Sequence, residues 1–274
     1  MKYEDIIQIP CTELNKYSQE DKENIADTIV NHYYMNGFPF YSLTREEMLT
    51  EYRYMVAYDV SALELENDEL QQNMKGLSFV NSFHPQMWST VCKNAPTPMD
   101  VYLDRDLFNK AIVKRMGLSV SKLVDFNIRK SLKVFNGVQN VSNFRPTVSK
   151  YMYKTYAGEN ARVLDPCAGY GGRLFGALSS SNVSSYTGVD PATASYSGNL
   201  EIVKTLNNIV YKLNDNDMFG NIQLPGAGLA HAPFEDLDLC SEYDFIFTSP
   251  PYFDIEKYSY EATQSWIRYP TFGE

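Results

Sequence analysis

Residues 161–175 read Ala161-Arg162-Val163-Leu164-Asp165-Pro166-Cys167-Ala168-Gly169-Tyr170-Gly171-Gly172-Arg173-Leu174-Phe175. A short apolar run ends at Asp165, a glycine-rich turn follows, and a second apolar run begins after Gly172. Gly169 and Gly171 let the backbone turn tightly and approach a ligand closely. The pattern therefore predicts a strand, a ligand-binding loop and a helix, in that order.

The next apolar run also ends in an acid. It reads Ser185-Tyr186-Thr187-Gly188-Val189-Asp190, and Asp190 lies eighteen positions after Gly172. A carboxylate at the tip of a second strand can accept hydrogen bonds from both ribose hydroxyls of a nucleoside cofactor. The combination of loop, helix and acid is more specific than a glycine-rich turn alone.

Asp165 bears on which cofactor the loop binds. A pyrophosphate site usually shows Gly-x-Gly-x-x-Gly with no acid ahead of it. A carboxylate at Asp165 would repel a pyrophosphate and attract an ammonium group. S-adenosylmethionine carries an ammonium and a sulfonium and has no phosphate, so the sequence favours it over NAD, with Asp165 at the methionine end.

A third apolar run leads into a proline-rich tetrapeptide: Tyr243-Asp244-Phe245-Ile246-Phe247-Thr248-Ser249-Pro250-Pro251-Tyr252. The prolines lack N–H donors and are stiff in φ, so the carbonyl of Pro250 can face outward as an acceptor. The Ser249 hydroxyl is a second acceptor, and the Tyr252 ring offers a flat face. These groups would bind an aromatic amine and aim its nitrogen at a methyl donor. The alternative is a proline-rich turn after a core strand, since short motifs also occur by chance.

The chain resembles class I S-adenosylmethionine-dependent methyltransferases of the amino-methylating DNA type. Residues 165–171 are similar to the family's cofactor loop, commonly Asp-Pro-Phe-x-Gly-x-Gly, and residues 248–252 to its catalytic motif. The resemblance implies a catalytic set of Ser249, Pro250, Pro251 and Tyr252. It implies cofactor binding by Asp165, Pro166, Gly169, Gly171 and Asp190.

Two further segments match the family in part. Asn143-Phe144-Arg145-Pro146-Thr147-Val148-Ser149-Lys150 resembles an extra cofactor motif that usually reads His-Pro-Thr-x-Lys-Pro, which implies roles for Phe144 and Arg145. The family has an acid for the cofactor adenine after the third strand. Residues 230–236 occupy that place without a clear counterpart to this acid, and Phe234 is expected to pack on the adenine. The resemblance covers roughly residues 140–260 and does not extend to the first 130.

The resemblance implies an α/β fold with a doubly wound, Rossmann-like methyltransferase sheet. We expect strands at about 162–166, 185–190, 227–232 and 243–248, in a core of residues 136–274. Only 22 residues follow Tyr252, so we expect the sheet to be truncated after the fourth strand and the chain to be a fragment.

Residues 1–135 are expected to form a mainly helical region. Ser18 and the pair Thr44 and Glu47 have the pattern of helix N-caps. Thr97 followed by Pro98 suits a further helix start. We expect two more helices at about 99–116 and 119–135. His84 is interpreted as a packed histidine rather than a catalytic base.

Composition limits the class of protein. The chain has 274 residues, no apolar run near 18 residues and no signal peptide, so we expect no membrane contact. Cys11, Cys92, Cys167 and Cys240 are far apart and lack metal-ligand spacing. We interpret them as reduced thiols in the cytoplasm of a bacterial cell or a phage-infected host, and predict no metal.

The net charge of −10 opposes tight nonspecific binding to nucleic acid, but the charge is unevenly distributed. Residues 105–154 contain only two acids, Asp106 and Asp125. The same segment holds eleven basic residues: Arg105, Lys110, Lys114, Arg115, Lys122, Arg129, Lys130, Lys133, Arg145, Lys150 and Lys154. This segment is either a DNA-binding face or an ordinary solvated helix surface.

The leading hypothesis is methylation of the 4-amino group of cytosine or the 6-amino group of adenine in DNA, with the target base flipped out. In the family, Ser-Pro-Pro-Tyr is typical of cytosine enzymes and Asp-Pro-Pro-Tyr of adenine enzymes. Two alternatives remain: a methyltransferase for RNA guanine or a protein amide, and an inactive relative that binds nucleic acid. A restriction–modification system and a phage protection system would have the same sequence features.

Overall fold

A computed structural model describes residues 1–63, 65–66, 69–70, 72–118, 120–215, 223–239, 242–252 and 255–271. The chain is mixed α/β. Its helices are α1 (Tyr3–Ile6), α2 (Cys11–Leu14), α3 (Gln19–Asn36), α4 (Arg45–Ala57), α5 (Leu77–Ser82), α6 (Pro98–Leu103), α7 (Arg105–Leu118), α8 (Asp125–Val134), α9 (Pro146–Tyr156), α10 (Gly172–Leu178), α11 (Thr193–Asp215) and α12 (Ser265–Arg268). Its strands are β1 (Leu65–Glu66), β2 (Glu69–Leu70), β3 (Val91–Cys92), β4 (Ala161–Asp165), β5 (Val183–Val189), β6 (Gly226–Ala230), β7 (Phe245–Ile246) and β8 (Glu256–Lys257).

Four strands form one parallel sheet in the order β6-β5-β4-β7. These are the four strands expected from the sequence. Following the chain, β5 and then β6 add to one side of β4, and β7 then pairs with the other side of β4. The loops after β4 and β7 both begin at the carboxyl ends of their strands, and the strand order reverses between these two strands, which is where doubly wound sheets leave a crevice.

The sheet is held by buried apolar residues on β4 and on the helices that flank it. Val163 and Leu164 of β4 are buried, and Phe175 of α10 stacks on Phe79 of α5 with ring centroids 4.4 Å apart. Helix α9 packs closely on α10, because a Cβ at Gly176 would lie 2.0 Å from the Ser149 hydroxyl. Every residue of α10 is buried.

The chain divides into two compact units that differ from the expected boundary at residue 135. One unit comprises residues 1–40, 86–141 and 255–257, and the other comprises the described parts of 41–85, 142–254 and 258–274. Residues 41–85 belong with the parallel sheet because α4 and α5 supply core residues. Tyr52, Met55 and Val80 are buried in the same hydrophobic cluster as Phe175.

The predicted helix caps are present. Ser18 accepts the N–H of Asp21 at 3.1 Å at the start of α3, and Thr44 forms a reciprocal capping box with Glu47 at the start of α4. Thr97 caps α6 in the same way through Asp100. Short-range side-chain patterns therefore predicted these helix starts correctly.

Two predicted helices were wrong in extent. The helix expected over residues 99–116 is broken at Asp104, whose carboxylate accepts the N–H of Leu107 at 3.0 Å and starts a new helix, α7. The helix expected from residue 119 begins only at Asp125, and Lys122 instead forms an isolated β-bridge with Pro10.

Three findings concern the class of protein. No helix in the described ranges is long and apolar enough to cross a membrane. Cys11, Cys92 and Cys167 are not joined in disulfides, and Cys240 lies outside the described residues. Burial raises the pKa of the Cys167 thiol to about 11, which suits a packing residue rather than a nucleophile.

Candidate functional site

The crevice between β4 and β7 brings together the glycine-rich loop and the proline-rich tetrapeptide. The N–H of Phe247 donates to the carbonyl of Leu164 at 3.0 Å, which continues the strand pairing to the end of the sheet. Just beyond, the N–H of Cys167 donates to the Thr248 hydroxyl at 3.1 Å. The loop after β4 and the residue before Ser249 are therefore directly hydrogen-bonded.

The loop requires its glycines for two separate reasons. Gly169 and Gly171 have φ values of +57° and +77°, in the left-handed region that favours glycine. A Cβ at Gly172 would lie 2.0 Å from the backbone oxygen of Phe144, so no side chain fits there. Positive φ thus shapes the turn, and the lack of a side chain lets the segment before α9 approach α10.

Asp190 directly follows β5, and its carboxylate hydrogen-bonds to the glycine-rich loop. Its two carboxylate oxygens accept the N–H groups of Gly169 at 2.8 Å and Ala192 at 2.9 Å. Burial raises its pKa to about 7, although the two backbone N–H groups act in the opposite direction. Asp190 is half-buried, and each oxygen retains acceptor capacity for a ligand hydroxyl.

Asp165 is placed differently from the sequence expectation. The residue has no exposed surface, and its Oδ2 accepts hydrogen bonds from Arg173 Nε at 2.8 Å and from the Tyr186 hydroxyl at 2.6 Å. A carboxylate in direct contact with a ligand would have exposed surface in a ligand-free protein. Asp165 therefore supports the loop from its buried side. The direct contact with an ammonium group that the sequence suggested is corrected, because no surface of this carboxylate is exposed to a ligand. Pro166, the next residue, is half-buried at the start of the loop.

Arg173 is a site residue that the sequence analysis missed. Its side chain is 5% exposed, and its guanidinium pairs with Asp165 and also donates to the carbonyl of Cys167. It lies over the Phe144 ring at 5.4 Å, within the range of a cation–π contact. The sequence offered one signal for this role. Arg173 is the only charged residue in α10, a short helix whose other residues are small or apolar and buried.

The segment before α9 reaches the loop through Phe144 and Asn143. The Phe144 ring meets the ring of Phe247 edge-on at 5.5 Å, next to the strand that leads into the tetrapeptide. The Asn143 amide donates to the carbonyl of Tyr170 at 2.7 Å. Arg145 instead donates to the side chain of Gln72. Phe144 thus lies beside the loop, and Asn143 is a second residue that the motif comparison missed.

The tetrapeptide lies at the surface of the crevice. Ser249 and Pro251 are half-buried, whereas Pro250 is exposed. The Tyr252 side chain is 61% exposed. An aromatic ring with this exposure is open to a planar ligand from solvent.

Phe234 lies at the same edge of the sheet, after the third strand. It begins a 3-10 helix of residues Phe234–Asp236 and is 38% exposed. The N–H of Asp190 donates to the carbonyl of Ala230 at 3.1 Å, so the ends of β5 and β6 are aligned. The residues after these two strands, Asp190 and Phe234, therefore belong to one edge.

His84 is buried, as expected for a packed histidine. Burial lowers its pKa to about 4, with the side chain of Asn199 acting in the opposite direction. A Cβ at Gly198 would lie 2.4 Å from its ring, so α11 packs directly against it. Asn199 also donates to the carbonyl of Gly169 at 3.0 Å and supports the loop.

The basic segment of residues 105–154 contains fewer available cations than its sequence suggests. Arg115 and Lys150 are buried, and Lys150 donates to the carbonyl groups of Met55 and Val56. Burial lowers the pKa of Lys150 to about 8. Arg105 pairs with Asp27 at 2.9 Å. The segment also contributes to both compact units, so its charges do not belong to one unit.

The exposed lysines of the first unit in this range are Lys110, Lys114, Lys122 and Lys130.

No family model, curated protein or solved structure matches the chain. The class of protein must therefore be inferred from the sheet order and from the groups that meet at its carboxyl edge.

Proposed function

We propose that this chain is an S-adenosylmethionine-dependent methyltransferase that acts on the exocyclic amino group of cytosine or adenine in DNA. One observation carries the proposal. The glycine-rich loop and the Ser-Pro-Pro-Tyr tetrapeptide follow the two strands, β4 and β7, at which the strand order reverses. Ligands of doubly wound sheets bind in this crevice. The hydrogen bond between Cys167 and Thr248 joins its two sides.

The described residues fit an adenosine group. Asp190 has unused acceptor capacity for the ribose hydroxyls, and the exposed Phe234 ring suits one face of a base. The loop backbone at Gly169, which is half-buried, has no side chain to keep a ligand away. When bound, S-adenosylmethionine supplies an electrophilic methyl group. Asp165 and Arg173 act as positioning residues beneath the loop rather than as ligand contacts.

The tetrapeptide supports recognition of an amine. The Ser249 hydroxyl and the Pro250 carbonyl accept the hydrogens of an exocyclic amino group, and Tyr252 stacks on the ring that carries it. Positive charge develops on the nitrogen as it attacks, and fixed oxygen acceptors stabilise that charge. Much of the rate then comes from holding the nitrogen in line with the methyl group. A base in duplex DNA must first be flipped out to reach Tyr252.

A substrate comparison tests the proposal. The protein is incubated with S-adenosylmethionine labelled in the methyl group and, separately, with duplex DNA, transfer RNA and an amide-containing peptide. We expect label in DNA only. Label in RNA or in the peptide would show that the substrate is not DNA, while the proposed methyl transfer to an amino group would stand. Calorimetric binding of S-adenosylhomocysteine without label in any substrate would support the inactive relative instead.

A further inference from the structure

The segment after the tetrapeptide runs across the carboxyl edge of the sheet. Residues 258–269 are called here the crossing segment. The Tyr258 ring meets the Tyr170 ring edge-on at 5.6 Å, in the loop after β4. The Glu261 carboxylate accepts the N–H of Thr193 at 3.0 Å, after β5. The crossing segment thus contacts the loop after β4 through Tyr258 and the loop after β5 through Glu261.

The same segment continues to the third strand end. Arg268 donates to both carboxylate oxygens of Asp236, at 2.6 and 3.0 Å. The Tyr269 hydroxyl donates to Glu235 at 2.9 Å. Between these contacts, the Thr263 hydroxyl donates to the carbonyl of Pro191 at 3.1 Å. The crossing segment therefore spans the loops after β4, β5 and β6 in order.

The contact points bracket the residues proposed to hold the nucleoside. Tyr170 lies between Gly169 and Gly171 in the chain. Pro191 directly follows Asp190, and Glu235 directly follows Phe234. A segment attached at these points covers the space in front of all three loops. The nucleoside site consequently has the sheet edge on one side and the crossing segment on the other.

The crossing segment is folded on itself, which lets it move as one piece. The Trp266 indole donates to the carbonyl of Ser259 at 3.2 Å, and the Tyr260 ring packs edge-on against Trp266 at 5.5 Å. Gln264 is buried at 5% exposure. By contrast, the attachment at Arg268 and Asp236 is an ion pair with both side chains partly exposed, a weak type of contact.

We infer that the crossing segment is the outer wall of the nucleoside site and that its release from Glu235 and Asp236 admits and frees the ligand. This inference rests on the proposed function. Glu261 adds a second attachment, because a carboxylate is favoured at the N-terminus of a helix, and Thr193 is the first residue of α11. Opening therefore requires that the exposed ion pair, the helix-terminal hydrogen bond and the hydrogen bonds of Thr263 and Tyr269 separate together.

The test compares Arg268→Gln with a matched control, Lys204→Gln, which removes an exposed ion pair with Glu201 on α11. Stopped-flow measurements give the association and dissociation rate constants of S-adenosylhomocysteine. Arg268→Gln should raise both by about two- to fivefold, since it weakens the closed state by the exposed ion pairs of Arg268 with Asp236 and Glu235. Hydrogen exchange should also accelerate in peptides that contain Pro191 to Thr193 and Phe234 to Asp236, with β4 unchanged.

The outcomes separate the two proposals. Binding with both rate constants unchanged by Arg268→Gln would overturn the gate and leave the proposed function intact. Equal effects of Arg268→Gln and Lys204→Gln would overturn the gate as well, because the control pair lies within α11 and is not one of the attachments of the crossing segment. No binding of S-adenosylhomocysteine to the unaltered protein would contradict the proposed function itself.

Discussion

The amide nitrogen of Cys167 and the hydroxyl oxygen of Thr248 lie 3.1 Å apart, although the two residues are 81 positions apart in the chain. The bond joins the loop after β4 to the residue before the tetrapeptide. It fixes the distance between the proposed cofactor side and the proposed acceptor side. Catalysis by positioning depends on such distances, because misplacement by about 1 Å can cost about a hundredfold in rate.

Thr248→Val should therefore reduce methyl transfer more than cofactor binding. The substitution keeps the side-chain shape and removes the acceptor for the Cys167 amide. We expect the turnover number to fall by about tenfold or more, and the dissociation constant of S-adenosylhomocysteine to change by less than about threefold. Thr248→Ser keeps the hydroxyl and should retain most activity. Equal turnover in the Val and Ser variants would show that this bond does not align the site.

Asp190→Ala should weaken cofactor binding. The variant removes the acceptors proposed for the ribose and also the carboxylate that binds the Gly169 amide. Calorimetry should show at least a tenfold loss of affinity for S-adenosylmethionine, about 1.4 kcal/mol or more. Asp106→Ala, an exposed acid on α7, is the control and should bind normally. An unchanged affinity in Asp190→Ala would remove the residue from the proposed site.

Asp190 should also make binding depend on pH. Burial raises its pKa from 3.8 to about 7. The contribution of the protonated Asp190 to the free energy of unfolding is therefore fully present below about pH 4 and is lost as the pH rises through 7. Ribose hydroxyls donate to the ionised form, so affinity for S-adenosylhomocysteine should rise between about pH 6 and 8, with proton release. Calorimetry in buffers of different ionisation enthalpy measures both effects. Asp190→Asn should abolish this pH dependence, and an equally steep dependence in that variant would assign it to another group.

The buried pair of Asp165 and Arg173 should be costly to break singly. Arg173→Met leaves an uncompensated charge on Asp165 and should lower the free energy of unfolding by about 3–5 kcal/mol in urea titrations. The double variant Asp165→Asn with Arg173→Met removes both charges and should recover part of that loss. A double variant no more stable than Arg173→Met would contradict a specific ion pair.

The sequence predicted those features that depend on neighbouring residues. The strand before Asp165, the turn at Gly169 and Gly171, and the cap at Ser18 all follow from local patterns, and the structure has each of them. It did not predict that Asp165 is buried beside Arg173 and Tyr186. That arrangement depends on which strand pairs with β4 and on how α10 packs, and no local pattern specifies either.

The same limit explains the remaining errors. The break at Asp104 was missed because one acid can end a helix or continue it, depending on whether its carboxylate caps the next N–H group. The basic segment has fewer exposed cations than its eleven basic residues suggest, because sequence gives charge without burial. Lys150 is the example, since it binds carbonyl oxygens of α4 inside the second unit.

The central claim is that Tyr252 and Ser249 present a DNA base to a methyl donor. The most direct measurement is mass spectrometry of nucleosides from DNA treated with the protein and S-adenosylmethionine carrying a deuterated methyl group. We predict labelled N4-methylcytosine or N6-methyladenine. Tyr252→Ala should reduce it by about ten- to a hundredfold, as loss of a stacking contact worth about 1–3 kcal/mol implies, with affinity for S-adenosylhomocysteine nearly unchanged. Tyr252→Phe retains the ring and should retain most transfer. DNA that contains no labelled base, or equal labelling by Tyr252→Ala, would contradict the account.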